Sequence, residues 1–170
     1  MKITVQAVTV DMFANSLGCL SALLEKGLAH ATARKFDPSV LVNARLAPDM
    51  FPLSRQVQIA CDLAKNSVAR LAALEPPRFE DNEKTIEELR ARIARTIDYL
   101  KGIPASAFEG AEDRDIKVPA GPDKFLEFKG LDFIQHWAIP NVFFHITTAY
   151  AILRHNGVDI GKRDFIGGNR

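Results

Sequence analysis

The sequence predicts an all-α fold, a four-helix bundle with a short β-hairpin inserted before the last helix, and three observations carry that expectation. Apolar residues recur every three or four positions along four separate stretches, and glycine or proline signals close each of them. One stretch alone, residues 115–128, alternates polar and apolar positions around a Pro-Ala-Gly-Pro-Asp turn. No alternation of strands and helices of the kind that builds a parallel sheet is visible. With 170 residues, 47% of them hydrophobic, the chain suits one well-cored domain spanning 1–170.

The first helix is expected over Val5 to Arg34, where Val10, Phe13, Leu17, Leu20, Leu24 and Leu28 form one stripe. Phe36-Asp37-Pro38-Ser39 breaks it, and residues 39–46 form short turns before Pro48. A second helix fits Leu53 to Leu74, with Val57, Cys61, Ala64, Val68 and Leu71 inward and Pro76-Pro77 forbidding continuation. Thr85-Ile86-Glu87-Glu88 is a capping-box pattern, and Ile86, Leu89, Ile93, Ile97 and Leu100 follow at helical spacing. On this third helix Arg90, Arg92 and Arg95 read as a solvated face among acidic neighbours. The hairpin should pack over one end of the helices, because an isolated hairpin is marginal in water.

The last core helix is expected over Leu131 to Gly157. Asp132 serves as its N-cap, Pro140 breaks one rung of its ladder, and Gly157 is its left-handed C′ residue. The tail after Gly157 has too many glycines for a helix, with Phe165 and Ile166 available to dock it.

Lys plus Arg total 22 against 21 for Asp plus Glu, so no excess charge points to nucleic acid or to a membrane surface. The N-terminus lacks a basic start with an uninterrupted apolar run, and no uninterrupted run of about 18 apolar residues occurs, so a cytoplasmic protein is expected. Cys19 and Cys61 fall within helical apolar patterns, where reduced cysteine acts as a small hydrophobe.

Three of the four histidines lie in the last helix, which raises a metal hypothesis. On a straight helix His136 and His145 point about 180° apart, so they meet at one ion only if the break at Pro140 brings them together. Asn141 and His145, four apart, share a face. They read either as a hydrogen-bonded pair or as part of a metal site, although an amide is a poor ligand for zinc or nickel. On the second helix Gln56, Gln58 and Asp62 are polar positions, and Gln58 shares a face with Asp62.

Two blocks carry a resemblance: Gln56-Val57-Gln58-Ile59-Ala60-Cys61-Asp62, and Pro140-Asn141-Val142-Phe143-Phe144-His145 followed by residues 151–158. With the order of helices, they resemble the DinB/YfiT-like superfamily. Residues 44–52, Asn156-Gly157 and residues 161–165 resemble a bacterial branch of it catalogued as a domain of unknown function. The resemblance implies an up-down-down-up bundle, often a homodimer. It also implies a divalent metal, nickel or zinc, held by three histidines, and a hydrolase or thiol-dependent transferase activity in some members.

Carried over by position, Gln58 stands where the helix-two histidine would be and Asn141 where the first histidine of the late pair would be; His145 is retained. A shift of a few residues would bring Gln56 or Asp62 to the cavity instead. Three functions follow as expectations. One is a polar small-molecule pocket of Gln58, Asn141 and His145, with His145 as the catalytic base and His136, Asp62 and Arg55 as further contacts. The second is a divalent-metal site built on His145 and His136. The third is a non-catalytic dimer or interaction protein in which these groups satisfy one another.

Overall fold

The computed structural model of the chain describes residues 3–168. It is mostly helical, with one two-stranded antiparallel sheet. The N-terminal helix opens with a π-helical turn, Ala7–Asp11, and continues as α1, Met12–Arg34. Val10, Phe13, Leu17, Leu20 and Leu24 are buried as their spacing requires. The stretch Ala7–Arg34 has the length and apolarity of a membrane-crossing helix. Here its apolar stripe is committed to the protein's own core.

After a helical turn, α2, Ser39–Asn43, comes α3, Leu53–Leu71. α3 ends three residues before the expected Leu74: Ala73 turns left-handed at φ 54° and Leu74 is exposed, ahead of the two prolines that could not continue the helix. Residues 74–84 then run without regular structure to α4, Ile86–Lys101.

The capping box at the start of α4 is complete. The Glu88 backbone N–H donates to Thr85 Oγ1 at 3.2 Å, and the Glu88 carboxylate accepts from the backbone N–H groups of Thr85 at 3.1 Å and Lys84 at 2.6 Å. These two donors hold the Glu88 carboxyl below the usual range. Thr85→Ala removes the hydroxyl acceptor and is expected to lower stability by about 1 kcal/mol, read as a lower urea midpoint at unchanged slope.

Strands β1, Asp115–Pro119, and β2, Phe125–Lys129, form the expected hairpin, with Ile116 opposite Phe128 and Val118 opposite Leu126. Ile116 and Val118 are buried. Phe128 meets Phe133 and Trp137, each with ring centroids 5.9 Å away, so the hairpin rests on the start of the last helix.

That helix has three segments: α5, Gly130–Phe133, a π-helical turn Ile134–Ala138, and α6, Ile139–His155. The disturbance expected at Pro140 is this π turn. Proline offers no N–H and presses on the carbonyl one turn back, and an extra residue in the preceding turn relieves both. The helix starts at Gly130, so Asp132 lies within the first turn instead of capping it. There its charge still suits the positive end of the helix. Gly157 has φ 86°, as a C′ glycine requires.

The tail forms one more helical segment than expected, α7, Lys162–Ile166. The Asp164 carboxylate accepts from the Gly161 N–H at 2.8 Å and from Lys26 Nζ at 2.6 Å, which supplies the N-terminal partner that the glycine count had concealed. Phe165 docks edge-on against Tyr150, centroids 5.7 Å apart. In the body α3 packs against α4 and α6, and α1 packs against the same two helices.

Candidate functional site

The site begins where α3 begins. Phe51 and Pro52 precede its first turn, and the buried Gln56 donates from Nε2 to the Phe51 carbonyl at 3.1 Å. That bond fixes which end of the amide faces outward from the loop. Oε1 therefore points across to α6, where it lies 2.7 Å from His145 Nδ1. An amide oxygen only accepts, so His145 Nδ1 carries the proton. In the neutral ring the Nε2 lone pair is left as acceptor, base or ligand. Phe144 is exposed and stands edge-on to the imidazole, centroids 5.1 Å apart.

Burial lowers the pKa of the half-buried His145, and the positive charge of Arg55 lowers it further. The neutral form is thus favoured by folding. The sign follows: the unfolded chain binds the proton more readily. This contribution to stability is fully present above the ordinary value of 6.5 and is lost as pH falls below it. An imidazole NMR titration is expected to place the His145 midpoint below 6.5, with the proton on Nδ1 above it. A midpoint above the ordinary value would contradict the assignment.

Arg55 lies over the Phe51 ring at 6.0 Å, donates from Nη1 to Gln58 Oε1 at 3.3 Å, and pairs with Asp81. Both bonds use Nη1, which leaves the Nε and Nη2 edge of its fork without a partner among the described residues.

The structure brings His145 together with Gln56, the alternative position on α3, and directs Gln58 elsewhere. Gln58 is buried, but its Nε2 donates to Glu83 Oε2 at 3.0 Å. Residues two apart on a helix point about 200° apart, and α3 is covered on both sides, so both glutamines are inside while facing different neighbours. Asn141 turns its amide back to the Trp137 carbonyl at 2.7 Å, within the π turn. His136 is exposed on that same turn. Asp62 belongs to an ionic cluster that meets the site through Asp81, the partner of Arg55.

That cluster is what the sequence reading missed. Arg92, expected in solvent, is fully buried. Its Nη2 lies 3.0 Å from Asp62 and 2.9 Å from Asp81, and its Nη1 bonds Glu83 at 3.0 Å and the Glu80 carbonyl at 2.9 Å. The two Nη2 contacts are short but poorly aligned, so they act through charge more than as hydrogen bonds. Lys65 donates to the Pro77 carbonyl at 2.5 Å, and Phe79 is flanked by Lys65 at 4.4 Å and Arg95 at 3.9 Å. The cluster fastens residues 77–83 to α3 and α4. The signal for it was in the spacing, since Arg92 lies three after Leu89 and four before Thr96, on the inner stripe.

A family model described as a domain of unknown function, DUF1993, matches residues 6–166. The chain belongs to this family. A solved structure titled as a DinB family member protein from Shewanella denitrificans is 47% identical to it over 95% of this chain and 91% of that one, with a TM-score of 0.89. The chain is therefore a DinB-like domain of unknown function. Comparison with curated proteins gives no match.

The DinB-like resemblance implied a divalent metal, and the donors present do not fit one. Among the described residues no group of three or more His, Cys, Asp or Glu side chains is placed to hold an ion. His145 stands with an amide beside it, and the converging carboxylates of Asp62, Asp81 and Glu83 are taken by the Arg92 guanidinium. One imidazole among amides is a weak donor set for nickel or zinc.

Proposed function

We propose that this DUF1993 domain binds a small molecule at His145, with the Nε2 lone pair as the acceptor or general base. The observation that carries the reading is the chain from the Phe51 carbonyl through Gln56 to His145. It orients the ring and assigns its tautomer, as a positioned base requires. The unpartnered Nε/Nη2 edge of Arg55 suits a planar anion such as a carboxylate, which takes two parallel bonds from such a fork. An apolar recess of about 430 Å³ is lined by Leu46, Phe143, Phe144 and Thr147, and its link to the imidazole is Phe144, whose ring stands edge-on to His145.

The bundle is read as up-down-down-up. What supports this is reach: residues 74–84 extend up to about 36 Å, enough to return along an α3 about 28 Å long and leave α3 and α4 parallel. A second reading, a homodimeric interaction protein, is favoured by the exposed side chains of Val40, Leu46, Phe51 and Phe144.

Melting shifts of wild type, His145→Ala and Arg55→Gln across a panel of small aromatic and aliphatic carboxylates test the first reading. A shift in wild type that both variants lose supports it. A shift that both keep, or stoichiometric zinc or nickel in protein purified without a histidine tag, overturns it. A dimer in sedimentation that Phe144→Ser dissociates, with no ligand shift, establishes the second reading instead.

A further inference from the structure

A second recess, which shares no lining residue with this chemistry, lies between the start of the N-terminal helix and the start of the last one. It encloses about 650 Å³, and Val5, Val8, Phe108, Leu131, Ile134 and Ile139 supply most of its apolar wall. Neither His145, Gln56 nor Arg55 contributes to it. Both π-helical turns do: Val8 comes from Ala7–Asp11, and Ile134 and Gln135 come from Ile134–Ala138. Pro140 accounts for the second turn, but no proline follows the first within the helix. π turns are rare and concentrate at functional sites, because the extra residue shifts side chains out of the regular stripe.

Among the described residues the lining is charged at one sign only, with Glu109 and Glu112 and no Lys, Arg or His. Neither carboxylate forms an ion pair or hydrogen bond among the described residues. Arg114, the nearest basic residue in sequence, gives its guanidinium to the backbone carbonyls of Leu71, Ala107 and Glu109 instead. The recess thus offers an apolar surface with negative charge at its edge that no cation among the described residues pairs. An anionic amphiphile would meet repulsion there, and a neutral one would leave the two acids without a role.

We propose that this recess is a binding site for a small amphiphilic cation, its apolar body against Val8, Leu131 and Ile134 and its ammonium group toward Glu109 and Glu112. The site is independent of the reading at His145.

Calorimetric titration with octyltrimethylammonium below its micellar concentration, beside octyl sulfate and neutral octyl glucoside, tests the proposal on the full chain. Saturable binding of the cation, at least tenfold tighter than of either comparison amphiphile, is expected. Glu109→Gln with Glu112→Gln should weaken it at least tenfold with an unchanged melting temperature, since both side chains are exposed. His145→Ala should leave it unaltered. Amide shift changes on titration should centre on Val8, Leu131 and Ile134. Equal binding of octyl sulfate, a double variant as tight as wild type, shift changes centred on His145, or no saturable binding would each overturn the proposal.

Discussion

Gly130→Ala is expected to destabilise the fold by about 3 kcal/mol or more, a fall of roughly 10 °C in melting temperature for a chain of this size. Gly130 joins β2 to α5 and is buried. A Cβ placed on it would sit 2.9 Å from the Ala111 carbonyl carbon, closer still to the oxygen of that carbonyl, and 3.2 Å from the Glu112 oxygen. These obstacles are backbone, so no rotamer change relieves them. The Glu112 carbonyl also accepts from the Leu131 N–H at 2.8 Å, and moving it breaks that bond. The same exchange at Gly18 should act in the opposite direction. That position lies within α1, is exposed, and has nothing within 4 Å of the added methyl, so Ala is expected to stabilise by about 0.5–1 kcal/mol. Paired urea unfolding curves decide both. A Gly130→Ala protein as stable as wild type would mean that the strand-to-helix junction is looser than its geometry.

Most of the fold was legible because its signals are local. The capping box at Thr85, the alternation around residues 119–123, and the C′ glycine at 157 each need only a few neighbouring residues. The tail helix was obscured because its stabilising partners, Lys26 and Tyr150, are remote in sequence. The site was half legible for a similar reason. Periodicity identifies Gln56 and Gln58 as polar residues on α3. Which of them meets His145 depends on how α3 is rotated between α4 and α6, and no spacing within one helix contains that rotation. Arg92 shows the reverse: its spacing points inward while its charge points to solvent. A guanidinium is admitted to a core when carboxylates accompany it, and those arrive from residues 81 and 83 in a connector without periodicity.

Arg92→Ala should be the most damaging change in the ionic cluster, costing about 3–5 kcal/mol, because it leaves Asp62, Asp81 and Glu83 facing one another with only Lys65 and Arg55 to balance them. Arg92→Lys keeps the charge but replaces a fork by a point, so it loses the paired bonds to Glu83 and the Glu80 carbonyl and falls between the two. Combining Arg92→Met with Asp62→Asn, Asp81→Asn and Glu83→Gln should recover much of the loss, since the cost comes from stranded charges more than from the absent pair. The damage should also be local first. Residues 77–83 are held by this cluster, so limited proteolysis of Arg92→Ala should cut there before the helices open. Cys61 reports the same event from below: burial pushes its thiol up to about 12. In a Cys19→Ser background that thiol should be inert toward Ellman's reagent in the wild type and reactive in Arg92→Ala. Equal reactivity in the two proteins, with the connector uncut, would mean that α3 and α4 retain residues 77–83 without their charges.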